Sequence, residues 1–184
     1  KRAYESESVR VFAFVGHRSA GKTTLGDAIL SASGVTRTPG CVNTGTSLLD
    51  HEPEERKSRL SLGPATAWME GRNHLLYLMD TPGSELVAHE KALPVACADA
   101  VVVIISAPDS IEVGTERALE LASRDNRPRF IVVNKMDRNH SLTEIHQRLD
   151  SIHGASGLPL QLPWYNDSGE FAGTICLLRK RLFR

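Results

Sequence analysis

The amino-acid sequence predicts an α/β fold in which a mostly parallel sheet carries helices on both faces. Three short apolar segments support this prediction, at residues 9–15, 75–79 and 130–133, with helical or irregular sequence between them. Each segment runs directly into a polar motif. Parallel α/β sheets bind ligands at the carboxyl ends of their strands, so we expect the three motifs to meet at one edge of the sheet.

The first segment, Val9 to Val15, is nearly continuous in apolar residues, which is typical of a parallel strand covered on both faces. A helix is expected over about 22–33, and the loop between them fits the pattern G-x-x-x-x-G-K-[ST]. A glycine-rich turn that carries Lys-Thr by chance is the alternative, but the strand–loop–helix context favours a P-loop NTPase. The predicted phosphate-binding residues are Gly16, His17, Arg18, Ser19, Ala20, Gly21, Lys22, Thr23 and Thr24.

The residue types in this loop suit phosphate chemistry. Gly16 and Gly21 let the backbone wrap closely around an anion, so that N–H groups and the helix N-terminus point at phosphate oxygens. Lys22 would bridge the β- and γ-phosphates, and the Thr23 hydroxyl would ligate Mg²⁺.

The next stretch, from Thr36 to Leu62, shows no clear helical or strand period, and Pro39, Gly40 and Pro53 interrupt it. A connection of this length within a compact domain is usually functional or mobile. We therefore expect a nucleotide-dependent switch here.

An antiparallel hairpin is predicted from Leu60–Trp68 and His74–Met79, joined by a turn at residues 70–73. The second strand runs into Asp80-Thr81-Pro82-Gly83. A hydrophobic strand that ends in an acidic residue can deliver a second Mg²⁺ contact to a phosphate-loop site, and we assign this contact to Asp80.

The rest of the chain alternates between helices and strands, which is typical of βα units. The pattern predicts helical sequence over 85–98 that is broken by Pro94, a buried strand over 99–106, a helix over 111–123 and a buried strand over 130–133.

The last of these strands ends at Asn134-Lys135-Met136-Asp137, which fits N-K-x-D. The Asp137 carboxylate can accept hydrogen bonds from the guanine N1–H and exocyclic amine, whereas adenine offers no donor pair on that edge. Asn134 would hold the base site and the phosphate loop together, and the Lys135 stem would cover a base face. A capped turn before the next helix is the alternative, but the order of the three motifs favours guanine recognition.

Composition excludes several other classes of protein. The 22 basic and 22 acidic residues balance, so no overall field favours nucleic acid or membrane surfaces. The three cysteines are far apart and indicate reduced thiols rather than a disulfide framework or a zinc site. The longest apolar run, Ala100 to Ile105, is too short to span a bilayer. We expect a soluble, cytoplasmic monomer with no membrane partner and no sequence-specific nucleic-acid partner.

With these motifs, the chain resembles the G domain of the translational GTPases, most closely the N-terminal domain of elongation factor G and its paralogues. The resemblance covers about residues 9–165 and rests on the three motifs and on the stretch from Thr44-Gly45-Thr46 through Pro53-Glu54-Glu55. It implies a translation elongation factor that binds GTP or GDP with Mg²⁺ and hydrolyses GTP to GDP and phosphate in a ribosome-coupled switch of the translocation type. A guanine-nucleotide-binding module with weak or absent hydrolysis is the alternative.

The resemblance also implies catalytic roles for Lys22, Ser61, Gly83 and Ser84. Ser61 stands where the family has the switch threonine, so it would be the third metal ligand after Thr23 and Asp80. The Gly83 backbone N–H would sense the γ-phosphate.

Three positions depart from the family pattern and motivate the alternative. Arg59 replaces a glycine, Ser19 stands where the family usually has aspartate, and Ser84 stands where it commonly has the histidine that positions the attacking water.

The domain organisation predicted from the resemblance has three parts. Residues 1–8 form a polar lead-in, residues 9–162 form the GTP-binding domain, and residues 163–184 begin an inserted subdomain. We expect the chain to be part of a longer multidomain factor.

Overall fold

A computed structural model describes residues 4–58, 61–83, 91–138, 141–152 and 157–184. Its main sheet has five strands in the order β2-β3-β1-β4-β5. Strand β1 is parallel to β3 and β4, β4 is parallel to β5, and β2 is an antiparallel edge strand. The predicted mostly parallel sheet is therefore confirmed. The strands are β1 (Val9–Val15), β2 (Ala65–Gly71), β3 (His74–Asp80), β4 (Ala100–Ser106) and β5 (Arg129–Asn134).

Helices cover both faces of this sheet, as predicted. One apolar cluster places Val95, Leu119 and Ile145, from three different helices, against the β1 and β4 strands. A second cluster, on the other face, packs Leu30 and Leu49 against β3. The helices are α1 (Lys22–Ala32), α2 (Pro53–Ser58), α3 (Ala92–Cys97), α4 (Val113–Arg124) and α5 (Leu142–Ser151).

The first strand of the hairpin, β2, begins later and ends later than predicted: it spans Ala65–Gly71 instead of Leu60–Trp68. Strand β2 begins at Ala65, not at Leu60, and the preceding residue is Pro64, which has no N–H to donate to a ladder. The turn consists of Arg72 and Asn73, with φ of 47° and 67°. Positive φ at both positions matches the tight hairpin turn whose twist suits the flanking strands.

The prediction that Pro94 interrupts a helix was wrong. Pro94 is buried within α3, in the first turn. The N–H groups of a first turn have no partner inside the helix, so proline is tolerated there. The predicted helical sequence at 85–90 lies outside the described residues.

A second sheet follows the main one. Its strands β6 (Gln161–Tyr165), β7 (Phe171–Cys176) and β8 (Arg181–Phe183) are antiparallel and lie in that order. The predicted boundary at residue 162 falls inside β6. The assignment of residues 163–184 to an inserted subdomain stays a prediction. Among the described residues, no helix is long and apolar enough to cross a membrane.

Candidate nucleotide-binding site

The loop between β1 and α1 wraps tightly at the carboxyl edge of the sheet. Gly16, Ser19 and Gly21 have φ of 146°, 63° and 95°. Ala20 is completely buried beneath the loop, whereas Arg18 and Ser19 are exposed. Backbone turns of this kind are typical of concave anion sites, in which N–H groups of the loop can converge on a phosphate. Thr24 lies exposed in the first turn of α1.

Lys22 occupies the inside of this loop. Its side chain is buried, and Nζ donates to the carbonyl oxygens of His17 at 2.8 Å and Gly16 at 3.2 Å. Burial lowers the pKa of Lys22 to about 8; the charge of Asp80 opposes this shift and the charge of Lys91 adds to it. The cation is therefore poorly solvated and has two neutral oxygens as acceptors. A phosphate group would supply a stronger acceptor at the same place.

Asp80, at the end of β3, lies beside Thr23 of α1. The Thr23 hydroxyl donates to Asp80 Oδ2 at 2.5 Å, while the buried Asp80 Oδ1 has no hydrogen-bond partner among the described residues. Burial raises the pKa of Asp80 to about 6, against the charge of Lys22 and the Thr23 hydrogen bond; Asp50 and Asp27 raise it further.

These oxygens suit Mg²⁺. A hydroxyl and a carboxylate with an unused oxygen are ligands that this ion accepts, and in nucleotide sites it takes one or two protein ligands together with phosphates and water. The described part of the chain contains no group of three or more His, Cys, Asp or Glu side chains that could hold a metal ion.

The stability of the metal-free protein is expected to report the titration of Asp80. The pKa is about 6 in the folded state, against an ordinary value of 3.8. Because the folded state keeps the proton longer, the stabilisation is complete below about pH 4 and is lost as the pH rises through 6. The free energy of unfolding of the parent minus that of Asp80→Asn should fall by about 3 kcal/mol across this window. Urea unfolding in EDTA measures it, and a difference that rises with pH would contradict it.

The segment after Asp80 is fixed against β1 and the loop. The Thr81 side chain and backbone N–H both donate to the Phe14 carbonyl oxygen, at 2.7 Å and 3.2 Å. A Cβ on Gly83 would lie 2.6 Å from both Arg18 Cα and Lys22 Nζ. Only a residue without a side chain fits there, so the Gly83 backbone lies directly beside the phosphate loop.

The N-K-x-D motif is joined to the same loop. The Asn134 side-chain N–H donates to the Ala20 carbonyl oxygen at 3.0 Å, and its Oδ1 accepts the Lys135 backbone N–H at 2.9 Å. Lys135 has φ of 59°, and Asp137 is exposed. A Cβ on Gly21 would lie 2.4 Å from Asn134 Nδ2, so this contact requires glycine.

His17 points toward the start of α4. Its Nε2 lies 3.7 Å from Asp109 Oδ2 and 3.6 Å from Glu112 Oε1. The side chain is buried, and burial is the main cause of its lowered pKa, although Glu112 and Asp109 oppose it. His17 therefore lines the site without aiming its imidazole into the loop.

Three predicted residues remain, two of them in or beside the expected switch and one directly after Gly83. Ser61 is half-buried just before β2, while Arg59 and Ser84 lie outside the described residues.

The sequence did not reveal the role of Asp27. Its buried Oδ1 accepts the Leu48 N–H at 3.0 Å and so holds the start of the expected switch on α1. No local pattern could reveal a contact between residues this far apart in the chain.

Comparison with known proteins agrees with this geometry. A family model described as the elongation factor Tu GTP binding domain matches residues 7–163. The mitochondrial ribosome-releasing factor 2 of Schizosaccharomyces pombe is 32% identical over 98% of this chain and 23% of its own length. Elongation factor G 1 of Geobacter sulfurreducens is 32% identical over 96% of this chain and 26% of its own length.

Solved structures show the same likeness. A crystal structure of a protein from Thermus thermophilus aligns with a TM-score of 0.89 at 34% identity, over 96% of this chain and 26% of that protein. The bacterial selenocysteine-specific elongation factor, at a TM-score of 0.62 and 23% identity, over 78% of this chain and 24% of that one, is similar in fold.

The chain thus spans about a quarter of the length of the relatives it matches. The family model covers most of it, including all three nucleotide motifs. The chain belongs to the elongation factor Tu GTP-binding domain family, and its residues 7–163 are a G domain of the translational GTPase type.

Proposed function

We propose that the protein binds GTP and GDP with Mg²⁺ and hydrolyses GTP in a ribosome-coupled switch of the translocation type. The observation that carries the proposal is the joining of the three motifs at one sheet edge. Thr23 contacts Asp80, and Asn134 contacts the backbone of Ala20. Phosphate, metal and base contacts are thereby held in one unit.

Lys22 and Asp80, the buried cation and carboxylate, would have different roles at the phosphates. Lys22 would bind the β- and γ-phosphate oxygens in place of the two carbonyl oxygens it contacts now. Thr23, Asp80 and, in the GTP state, Ser61 would hold Mg²⁺, which neutralises charge on the phosphates. The Gly83 backbone lies beside Lys22 and would donate its N–H to the γ-phosphate. Phosphoryl transfer to water then depends on positioning and on these fixed charges.

The base contacts give the choice of nucleotide. Asp137 is exposed, so its carboxylate is accessible to a base. Its carboxylate would accept two N–H groups of the base, and the Lys135 stem would cover one face.

We further propose a cytoplasmic monomer whose partner is the ribosome, without membrane or sequence-specific nucleic-acid contacts.

The alternative, a nucleotide-binding module with weak hydrolysis, is not favoured. The relatives are named elongation factor G and ribosome-releasing factor 2, which supports a working translational GTPase. Because Ser19, Arg59 and Ser84 depart from the family pattern, the rate of GTP hydrolysis is the quantity to measure.

Multiple-turnover hydrolysis by the whole protein, with and without ribosomes, tests the proposal. We expect GTP turnover to rise by about 10³-fold or more with ribosomes, the scale on which partners complete GTPase sites. We expect the protein not to hydrolyse ATP. Ser84→His, assayed in parallel, shows whether the residue after Gly83 limits the rate.

Asp137→Asn is the matched variant for base recognition. An asparagine would accept the N1–H and donate to the C2 oxygen of xanthine, so GTP use should fall about a hundredfold or more while XTP use is gained. Equal use of GTP and ATP by the parent would contradict guanine recognition. Tight GTP binding without turnover on ribosomes would contradict hydrolysis.

A further inference from the structure

Glu55 joins the backbone on both sides of α2 through a single carboxylate. Its Oε2 accepts the N–H groups of His51 and Glu52, both at 3.1 Å. Its Oε1 accepts the N–H groups of Leu62 at 2.8 Å and Gly63 at 3.4 Å. The side chain is only 4% exposed. A carboxylate has about four acceptor sites, so four backbone donors use its whole capacity.

The contact with Leu62 bears directly on Ser61. The Leu62 N–H belongs to the peptide group whose carbonyl is that of Ser61, so the Glu55 hydrogen bond fixes the orientation of the Ser61–Leu62 peptide. Ser61 in turn carries the hydroxyl that the proposed function brings to the metal in the GTP state. The hydrogen bond to Glu55 thus restricts the conformational freedom of Ser61.

The other end of the switch segment has its own, separate attachment. Leu48 donates its backbone N–H to Asp27, and Leu49 is buried in the core cluster with Leu78. This attachment uses α1 and the sheet, which are present whichever nucleotide is bound. Residues 61–63, by contrast, are held through Glu55.

We propose that Glu55 is a positioning residue for the GTP state: it presents the Ser61 hydroxyl and thereby favours GTP over GDP. The inference rests on the proposed function. Ordering the backbone of one residue corresponds to about tenfold in affinity, which is the effect expected when Glu55 no longer orders Ser61 beforehand. GDP binding does not use Ser61 and is independent of Glu55.

Glu55→Gln tests this proposal, with Glu54→Gln as the matched control. Glutamine keeps one acceptor oxygen, but its amide NH₂ group would face the other pair of backbone N–H groups. One side of α2 therefore loses its acceptor. Glu54 is exposed in the same helical turn. Affinities for fluorescent GTP and GDP in Mg²⁺ are measured for both variants and the parent. We expect Glu55→Gln to lose about tenfold for GTP and less than twofold for GDP, and Glu54→Gln to match the parent.

A double-mutant cycle with Ser61→Ala isolates positioning from general support of the fold. In the Ser61→Ala background, Glu55→Gln should cause no further loss of GTP affinity. Equal losses for GTP and GDP, additive losses in the cycle, or no loss at all would each overturn the proposal.

Glu55→Asp is a second variant, should Glu55→Gln fold poorly. It keeps the charge but is one methylene too short to reach both sides of α2, and an unchanged ratio of GTP to GDP affinity would overturn the inference. A parent protein that binds no guanine nucleotide would overturn the proposed function together with this inference. A parent that binds GTP normally, with an unchanged ratio in the Glu55 variants, would overturn this inference alone.

Discussion

Replacing Gly16 with alanine is expected to destabilise the protein by about 2–5 kcal/mol and to abolish nucleotide binding. Gly16 has φ of 146°, which residues with a side chain rarely adopt. A Cβ at this position would lie 2.3 Å from the carbonyl oxygen of Ile104. Ile104 is completely buried in β4, the neighbour of β1. Neither strand can yield without disrupting the centre of the sheet, so the loop that begins at Gly16 would be displaced.

Gly34→Ala provides a matched control for this substitution. Gly34 also has positive φ, at 83°, but a Cβ there would meet nothing within 4 Å. The control therefore carries the backbone penalty alone, about 1–2 kcal/mol. Urea unfolding of both variants gives the free energies of unfolding, and a fluorescent GDP analogue reports binding. Equal destabilisation by the two substitutions would show that the contact with Ile104 is unimportant.

The main sheet and its binding edge could be predicted from the sequence. The Val9–Val15 segment is apolar on both faces, as a central parallel strand requires, and the structure places it between β3 and β4. The carboxyl ends of β1, β3 and β5 carry the three motifs. Because parallel strands end at the same edge, the meeting of those motifs follows from the order of the elements.

Other features depended on information that no local pattern contains. Helix α2 has only six residues, too few to show a helical period. The acceptor role of Glu55 depends on where Leu62 returns in space, and that of Asp27 depends on the path of Leu48 across α1. Pro94 was interpreted as a helix breaker because its position in the first turn could not be located without the helix start.

The site places two opposite charges out of water at a cost to the nucleotide-free protein. Burial lowers the pKa of Lys22 to about 8 and raises that of Asp80 to about 6, although each charge favours the other. The desolvation of both groups therefore exceeds their mutual attraction. Phosphate oxygens and a metal ion would restore the lost interactions, so part of the binding free energy comes from relieving this penalty.

Lys22→Ala is expected to weaken GTP binding by about 10²- to 10⁴-fold. Each charge-assisted hydrogen bond to a phosphate contributes about 1.5–3 kcal/mol, and the loss of two such bonds corresponds to this range. Lys57→Ala, which removes an exposed cation from α2, is the control for a general loss of positive charge. Equilibrium titration with a fluorescent GTP analogue measures both variants, and comparable losses would contradict a specific role for Lys22.

The pH dependence of binding distinguishes the Lys22 charge from its packing. Phosphate favours the protonated lysine, so binding above pH 8 must take up a proton that the free protein has lost. Parent affinity should therefore be steady just below pH 8 and fall by up to about tenfold per pH unit above it. Lys22→Ala has no such group and should lack this decline. A decline of equal steepness in the variant would assign it to another group, and a flat parent profile up to about pH 9.5 would show that Lys22 stays charged in the free loop.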